Sequence, residues 1–214
     1  MKNTILLCVI TFLNLFACYG QQANDKKNDR KHEASFDIGA FYTPVLSKDL
    51  YGFNLDAKYY PFKKLATGLS FSITENSISD KYSFGIEKPL LDYYELGWIN
   101  NYDIVQRDKI RIGLNLNNGI SIARLGDNAK KEKYWTKFGY QYKAKEVATT
   151  YLGFVQPGLD ISFRLFSAKH YPDYYLTTKA KYRIAYGNTN FGQVADYSNC
   201  YFGLGISIMG FIEE

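Results

Sequence analysis

Residues 110–122 read IRIGLNLNNGISI. Ile110, Ile112, Leu114, Leu116, Ile120 and Ile122 share one parity, while Arg111, Gly113, Asn115, Asn117, Gly119 and Ser121 hold the other. Successive side chains of a strand point to opposite faces, so a period of two sorts apolar residues onto one face and polar or small ones onto the other. Further back, Phe53, Leu55, Ala57 and Tyr59 alternate in the same way with Asn54, Asp56, Lys58 and Tyr60. The pattern returns in residues 35–43, 66–74, 93–104, 151–165, 174–187 and 199–209. It predicts eight strands of about 9 to 16 residues, where an ordinary globular strand has about five or six. A strand that crosses a bilayer at a tilt needs about 9 to 11.

The connections sort into two kinds. Residues 61–64, 105–109 and 166–173 are short and alternate with long stretches at 76–91, 124–149 and 188–198, although the first connection, 44–49, is shorter than its class. Short turns at one rim and long loops at the other are the layout of an outer-membrane barrel. The polar parity carries Gly39, Gly68, Ser70, Ser72, Gly97, Gly113, Gly119, Ser121, Gly203, Gly205 and Ser207, which suit a crowded interior better than a water-facing exterior. Its charges nearly balance, with Asp37, Asp56, Glu95, Asp103 and Asp160 against Lys58, Arg111, Arg164, Lys179, Lys181 and Arg183. Buried charges must pair, so these eleven residues are expected to form an internal ion-pair network filling the barrel. The apolar parity of the strand cores has no charge, as a lipid face requires where a mid-depth charge costs about 2 to 4 kcal/mol. Tyr42, Tyr51, Tyr59, Tyr94, Trp98, Tyr102, Tyr151, Tyr174, Tyr182 and Tyr186 lie on that parity, several near strand ends where interfacial aromatics anchor a barrel.

Composition narrows the chemistry. The 214 residues are 17% aromatic, with 20 Tyr and 15 Phe, but include only 2 His and 3 Cys. A zinc cluster, a disulfide scaffold or a His-centred active site has little material here, and neither cofactor nor metal is expected. The start, a short basic segment, an apolar run at 4–16 and small residues up to Gly20, reads as a signal peptide over 1–20. Lipidation at Cys18 is the alternative. Residues 21–34, QQANDKKNDRKHEA, read as a flexible polar leader. Four basic residues among three acidic ones do not suggest a nucleic-acid arm.

With this pattern, and with the phrases Lys58-Tyr59-Tyr60-Pro61, Leu65-Ala66-Thr67-Gly68-Leu69 and Gln156-Pro157-Gly158-Leu159, residues 35–211 resemble the small eight-stranded outer-membrane β-barrel proteins of diderm bacteria. The resemblance implies an all-β, antiparallel up-and-down transmembrane barrel over 35–212, located in the cell outer membrane. Its partners would be outer-membrane lipid, including lipopolysaccharide, and the barrel-assembly machinery. Such barrels end on an aromatic; here Phe211 falls on the lumen parity unless a bulge at Gly210 shifts it. Some barrels of this kind are lipid-modifying hydrolases, which need a Ser with a His base. His32 lies in the leader and His170 in the turn 167–173, so no enzyme is expected.

The most distinctive segment is 124–149, RLGDNAKKEKYWTKFGYQYKAKEVAT, with seven basic residues against three acidic ones. Lys130, Lys131, Lys133, Lys137, Lys143 and Lys145 are interleaved with Tyr134, Trp135, Phe138, Tyr140 and Tyr142, the last three alternating as in a hairpin. These eleven are the candidate surface-binding residues, for anionic lipopolysaccharide phosphates or a surface partner. The expected role is structural or surface-interacting, with a side-chain-filled lumen. A narrow channel and a soluble or lipid-anchored lipocalin-like barrel are the alternatives.

Overall fold

The structure, a computed structural model, describes residues 32–79, 84–107, 109–136, 139–166 and 172–212. The expected signal segment, most of the leader, His170, Lys137 and Phe138 lie outside these residues. Among the described residues the elements are β1 (His32–Val45), β2 (Lys48–Phe62), β3 (Leu65–Ser77), β4 (Pro89–Gln106), β5 (Ile110–Thr136), β6 (Gly139–Phe166), β7 (Asp173–Tyr182), β8 (Ile184–Gly187) and β9 (Cys200–Ile212), with a 3₁₀ turn at Val194–Tyr197. Each strand pairs antiparallel with its neighbour, and β9 pairs with both β7 and β1, so the sheet closes on itself. β7 and β8 both pair with β6 and form one stave, which makes a ring of eight.

The face of each strand follows the alternation in its sequence. On β2, Asn54, Asp56, Lys58 and Tyr60 are buried inside, while Phe53, Leu55 and Tyr59 point out, Phe53 being 68% exposed. Outward Tyr51 and Tyr59 are eight residues apart, about 26 Å along the strand at about 3.3 Å per residue. At a tilt of about 40° that is a band about 20 Å tall, close to the apolar belt of a membrane barrel. Tyr42, Tyr94, Tyr151 and Tyr186 continue its edge at the loop rim, and Tyr102, Phe166 and Tyr174 at the turn rim, where Phe166 and Tyr174 stack at 4.5 Å. One residue breaks the apolar face of β5. Asn118, opposite Trp98 and Val155, faces outward among Leu114, Leu116, Ile120 and Ile122, a departure that the alternation read from residues 110–122 passes over.

Other boundaries differ from the expectation for physical reasons. β1 begins at His32, so Glu33 and Ala34 belong to the barrel and not to the leader. β5 and β6 are 27 and 28 residues long, because the segment 124–149 is almost entirely paired strand; only residues 137–138 separate them. The β1–β2 connection is Leu46-Ser47, both at positive φ (54° and 57°), the twist that a two-residue hairpin turn requires. Leu46 tolerates this strained backbone in a fixed setting: its N–H donates to the Asp196 carbonyl at 2.9 Å and its side chain is buried. The β1–β9 ladder runs through Gly210 without a register shift, so the anticipated bulge is not there.

Glycines let the small ring close. Gly97 and Gly119 are directly opposite, and a Cβ on Gly119 would lie 2.0 Å from the Leu96 carbonyl oxygen. A Cβ on Gly68 would lie 1.9 Å from the Ala57 carbonyl oxygen. Neighbouring backbone occupies the space that a side chain would need, so the strands coil tightly at these two points.

Candidate functional site: the sealed lumen and the outer hairpin

Inside the barrel, polar residues of the even and odd strand registers meet in three tiers. In the middle, Lys58 Nζ lies 2.9 Å from Asp37 and 3.8 Å from Asp160, and Lys179 Nζ lies 2.6 Å from Asp56 and 3.3 Å from Asp37. Ser70 donates to Asp56 at 2.6 Å and Asn115 to Asp160 at 2.7 Å. The Lys181 ammonium sits 5.4 Å from the centre of the Tyr201 ring. Six strands, β1, β2, β3, β5, β6 and β7, thus supply one connected cluster with almost no access to solvent, the setting in which opposite charges offset each other's desolvation.

Towards the turn rim, Arg111 makes a two-pronged bond to Glu33, at 2.7 and 3.2 Å, and lies 3.8 Å from Asp103. Arg164 pairs with Asp173 at 3.4 Å. Between Arg111 and Lys58 is a cavity of about 10 Å³, room for about one water.

The third tier is a clasp around Arg183, which is fully buried. Its guanidinium pairs with Glu95, donates to Thr43 Oγ1 at 3.0 Å and to the Tyr197 carbonyl at 2.7 Å, and lies 4.9 Å from the centre of the Tyr93 ring. Tyr93 in turn donates to Glu95 at 3.0 Å. Arg183 is also where β7 and β8 part, and its N–H turns to the Asn199 carbonyl at 2.8 Å. The sequence opposite explains the break. Pro157 of β6 has no N–H to give a ladder, so β6 pairs with β7 up to Gly158 and with β8 from Val155, with no ladder pair between them.

Above the clasp the interior turns apolar. Val45, Leu50, Leu91, Leu125 and Leu152 of the strands pack with Leu46, Ile78, Ile86, Phe191 and Tyr197 of the connections. Residues 78–79, 84–88 and 188–199 therefore fold over the mouth, and the Arg183–Tyr197 bond ties this plug to the charged tier below.

All eleven charged residues read from the polar parity lie on inward positions, distributed over these tiers. Other partners carry no such signal in the sequence. Glu33 falls in the stretch read as the leader, although continuing the parity Asp37, Ser35 back two residues reaches it, and Asp173 falls in a stretch read as a turn; Thr43, Tyr93, Tyr197 and Tyr201 are neutral and give no charge signal.

Of the outer segment, Asp127 anchors the base. It accepts the N–H groups of Lys88 (3.0 Å), Ala129 (3.1 Å) and Glu87 (3.4 Å), with Lys130 Nζ at 3.7 Å. The Lys88 N–H, then those of Ala129 and Glu87 and the Lys130 charge, hold its carboxyl below the usual carboxylate range, against burial, which acts the other way. A carboxylate with a depressed folded-state pKa contributes stability above its unfolded value, about 3.9, and loses it as pH falls through the folded value. The stability gap between the native chain and Asp127→Asn, measured by urea unfolding, is therefore expected to be constant above about pH 5 and to shrink below about pH 4. A gap that does not change with pH would refute this role.

Beyond the base the hairpin pairs Lys131 with Ala144, Lys133 with Tyr142, Trp135 with Tyr140 and Thr136 with Gly139. Directly opposed residues share a face. One face thus presents Lys131, Lys133, Trp135, Tyr140 and Tyr142 with no carboxylate, and the other presents Glu132, Tyr134, Gln141 and Lys143. On the first, Lys133 Nζ sits 3.7 Å from the centre of the Tyr140 ring, and Trp135 meets Tyr140 edge-on at 4.7 Å. Trp135 and Tyr142 are 68% and 63% exposed. On the second, Tyr134 donates to Gln141 at 2.9 Å.

No family model matches the chain, and no curated protein does. Among solved structures it is similar to Ail, the attachment invasion locus protein of Yersinia pestis, with 15% identity and a TM-score of 0.50 over 85% of this chain and 100% of that one. Ail in complex with the heparin analogue sucrose octasulfate gives 17% identity and 0.50 over the same shares. Neisserial surface protein A gives 12% and 0.47 over 87% of this chain and 100% of that one. At such identities the likeness speaks to the fold. Closed ring, outward apolar belt and filled interior agree with it: this chain has the fold of the small eight-stranded outer-membrane β-barrels.

Proposed function

We propose that this protein resides in the outer membrane as a sealed, non-enzymatic barrel whose β5–β6 hairpin binds anionic surface groups, lipopolysaccharide phosphates first among them. The observation that carries the reading is the carboxylate-free hairpin face bearing Lys131, Lys133, Trp135, Tyr140 and Tyr142. Lysines supply charge, and exposed rings supply flat apolar bodies against which a sugar or acyl surface packs. Ail, which has a similar fold, has been solved with a heparin analogue, so an anionic carbohydrate joins lipopolysaccharide as a ligand class to test. The apolar plug and the charged tiers argue against a continuous water path, and the outward apolar belt argues against a soluble lipocalin-like barrel.

The membrane part of the reading is tested by cell fractionation and by heat-modifiable electrophoretic mobility; recovery in the soluble periplasm would overturn it. For the hairpin, a basic residue near an anionic surface contributes about 1 kcal/mol. Reversing Lys130, Lys131 and Lys133 to Glu is expected to weaken binding to lipopolysaccharide-containing vesicles by at least about a hundredfold, with the barrel still heat-modifiable. Unchanged binding would remove the function from the hairpin.

A further inference from the structure

Four polar side chains lie on the outward face between the two aromatic edges. Thr67 donates to Asn100 at 3.0 Å, and Thr178 donates to the Ile161 carbonyl at 3.4 Å. Asn118 has no hydrogen-bond partner among the described residues. Its depth is fixed by register: it is opposite Trp98, and Trp98 stands four residues from Tyr94 and four from Tyr102, the edge residues of β4. The carboxamide is therefore at mid-height on the face that meets lipid, about 13 Å along the strand from either edge. In hydrocarbon no water replaces a missing partner, so an open amide there is costly. Trp98 compounds the anomaly. Indoles favour the headgroup level, yet this one is at mid-height, 49% exposed, with its N–H unpaired among the described residues.

From this, and resting on the membrane reading above, we propose that two copies of the barrel associate side by side in the membrane through their β4–β5 faces, with Asn118 meeting Asn118 at the two-fold axis. A carboxamide carries both donors and an acceptor, so two of them satisfy each other head to tail. A two-fold axis sets identical residues against each other at equal depth, the arrangement that such self-complementary groups need. Trp98, directly beside Asn118 on its own sheet, brings a further N–H to the same seam, for the second lone pair of the amide oxygen on the other copy. Leu116, Ile120 and Val155 surround the pair with apolar surface, and polar contacts of this kind hold transmembrane elements together where lipid offers no hydrophobic drive.

The test uses the full chain with Cys8→Ser, Cys18→Ser and Cys200→Ser, recovered from the outer-membrane fraction and placed in phospholipid vesicles. Ile120→Cys, next to Asn118 on the outer face, is expected to give an oxidised homodimer; Ile206→Cys, on the outer face of β9, is the control and is expected to give only background. Adding Asn118→Leu to Ile120→Cys is expected to weaken association about tenfold, and Asn118→Gln to retain more of it than Asn118→Leu. Equal cross-linking at 120 and 206, an Asn118→Leu variant that dimerises as well as its parent, or a cross-linked product containing a different protein would each overturn the proposal. Heat-modifiable mobility is read for every variant. A monomeric but heat-modifiable barrel sinks the dimer alone, whereas a chain that never becomes a heat-modifiable membrane protein sinks the membrane reading with it.

Discussion

Arg183→Met is expected to be the most damaging single substitution in the lumen, destabilising the barrel by about 3 to 5 kcal/mol in urea unfolding. The change keeps volume and removes only the charge and its donors. Glu95, almost completely buried, then lacks its cation, and Thr43 and the Tyr197 carbonyl lose the N–H groups that reach them at 3.0 and 2.7 Å. Breaking one half of a buried pair is costly because the remaining charge stays desolvated, whereas replacing both halves with apolar groups is often close to neutral. The double substitution Arg183→Met with Glu95→Leu is therefore expected to recover most of the loss. Arg183→Lys is expected to fall between, since an ammonium cannot reproduce the planar fork that serves three acceptors. The single variant also cuts the Arg183–Tyr197 bond between the lumen and residues 188–199, and planar-bilayer recordings are expected to detect more current through Arg183→Met than through the native barrel. A native-like unfolding midpoint for Arg183→Met would show that the clasp has no energetic role.

Gly119→Ala is expected to cost about 3 kcal/mol, at the upper end of ordinary overpacking, and to lower the heat-modifiable fraction recovered after folding into detergent. The added Cβ would meet backbone atoms, the Leu96 carbonyl oxygen at 2.0 Å and Gly97 Cα at 2.6 Å, and so has no flexible neighbour to displace. Gly210→Ala is the matched control. There the nearest atom to a new Cβ is Pro172 Cβ at 3.6 Å, ordinary contact, so the outcome is expected to be neutral or slightly stabilising. If the two substitutions behave alike, the tight approach of β4 and β5 is not what Gly119 serves.

Much of the barrel is readable from the sequence because each stave has one apolar and one polar face, and period-two patterning survives wherever that is so. Residues 110–122 are the clearest case, and even there the eye slides over Asn118, which breaks the pattern at a single position. What the sequence conceals is held by contacts without a period. Leu46, Ile78, Ile86, Phe191 and Tyr197 come from three separate connections and converge only once the strands have closed, so no local window predicts the plug. The outer segment shows a hairpin in the alternation of Phe138, Tyr140 and Tyr142, but not the full length of its paired strands, because both its faces carry polar residues, which blurs the alternation that would mark a strand. The charged interior was legible as a set of residues, but its grouping into tiers depends on strand stagger, which parity does not encode.

The rim is uneven in a way that bears on how the molecule can change. At β1–β2 the chain turns in two residues, and Leu46 is fastened beneath the plug, so an insertion there would pull on the interior. At β5–β6 the last rungs, from Lys131 opposite Ala144 to Thr136 opposite Gly139, are hairpin pairs alone. Sequence can be lengthened, shortened or exchanged between Thr136 and Gly139 with the staves left as they are, which makes that position the natural point for variation under selection and for inserting a foreign peptide.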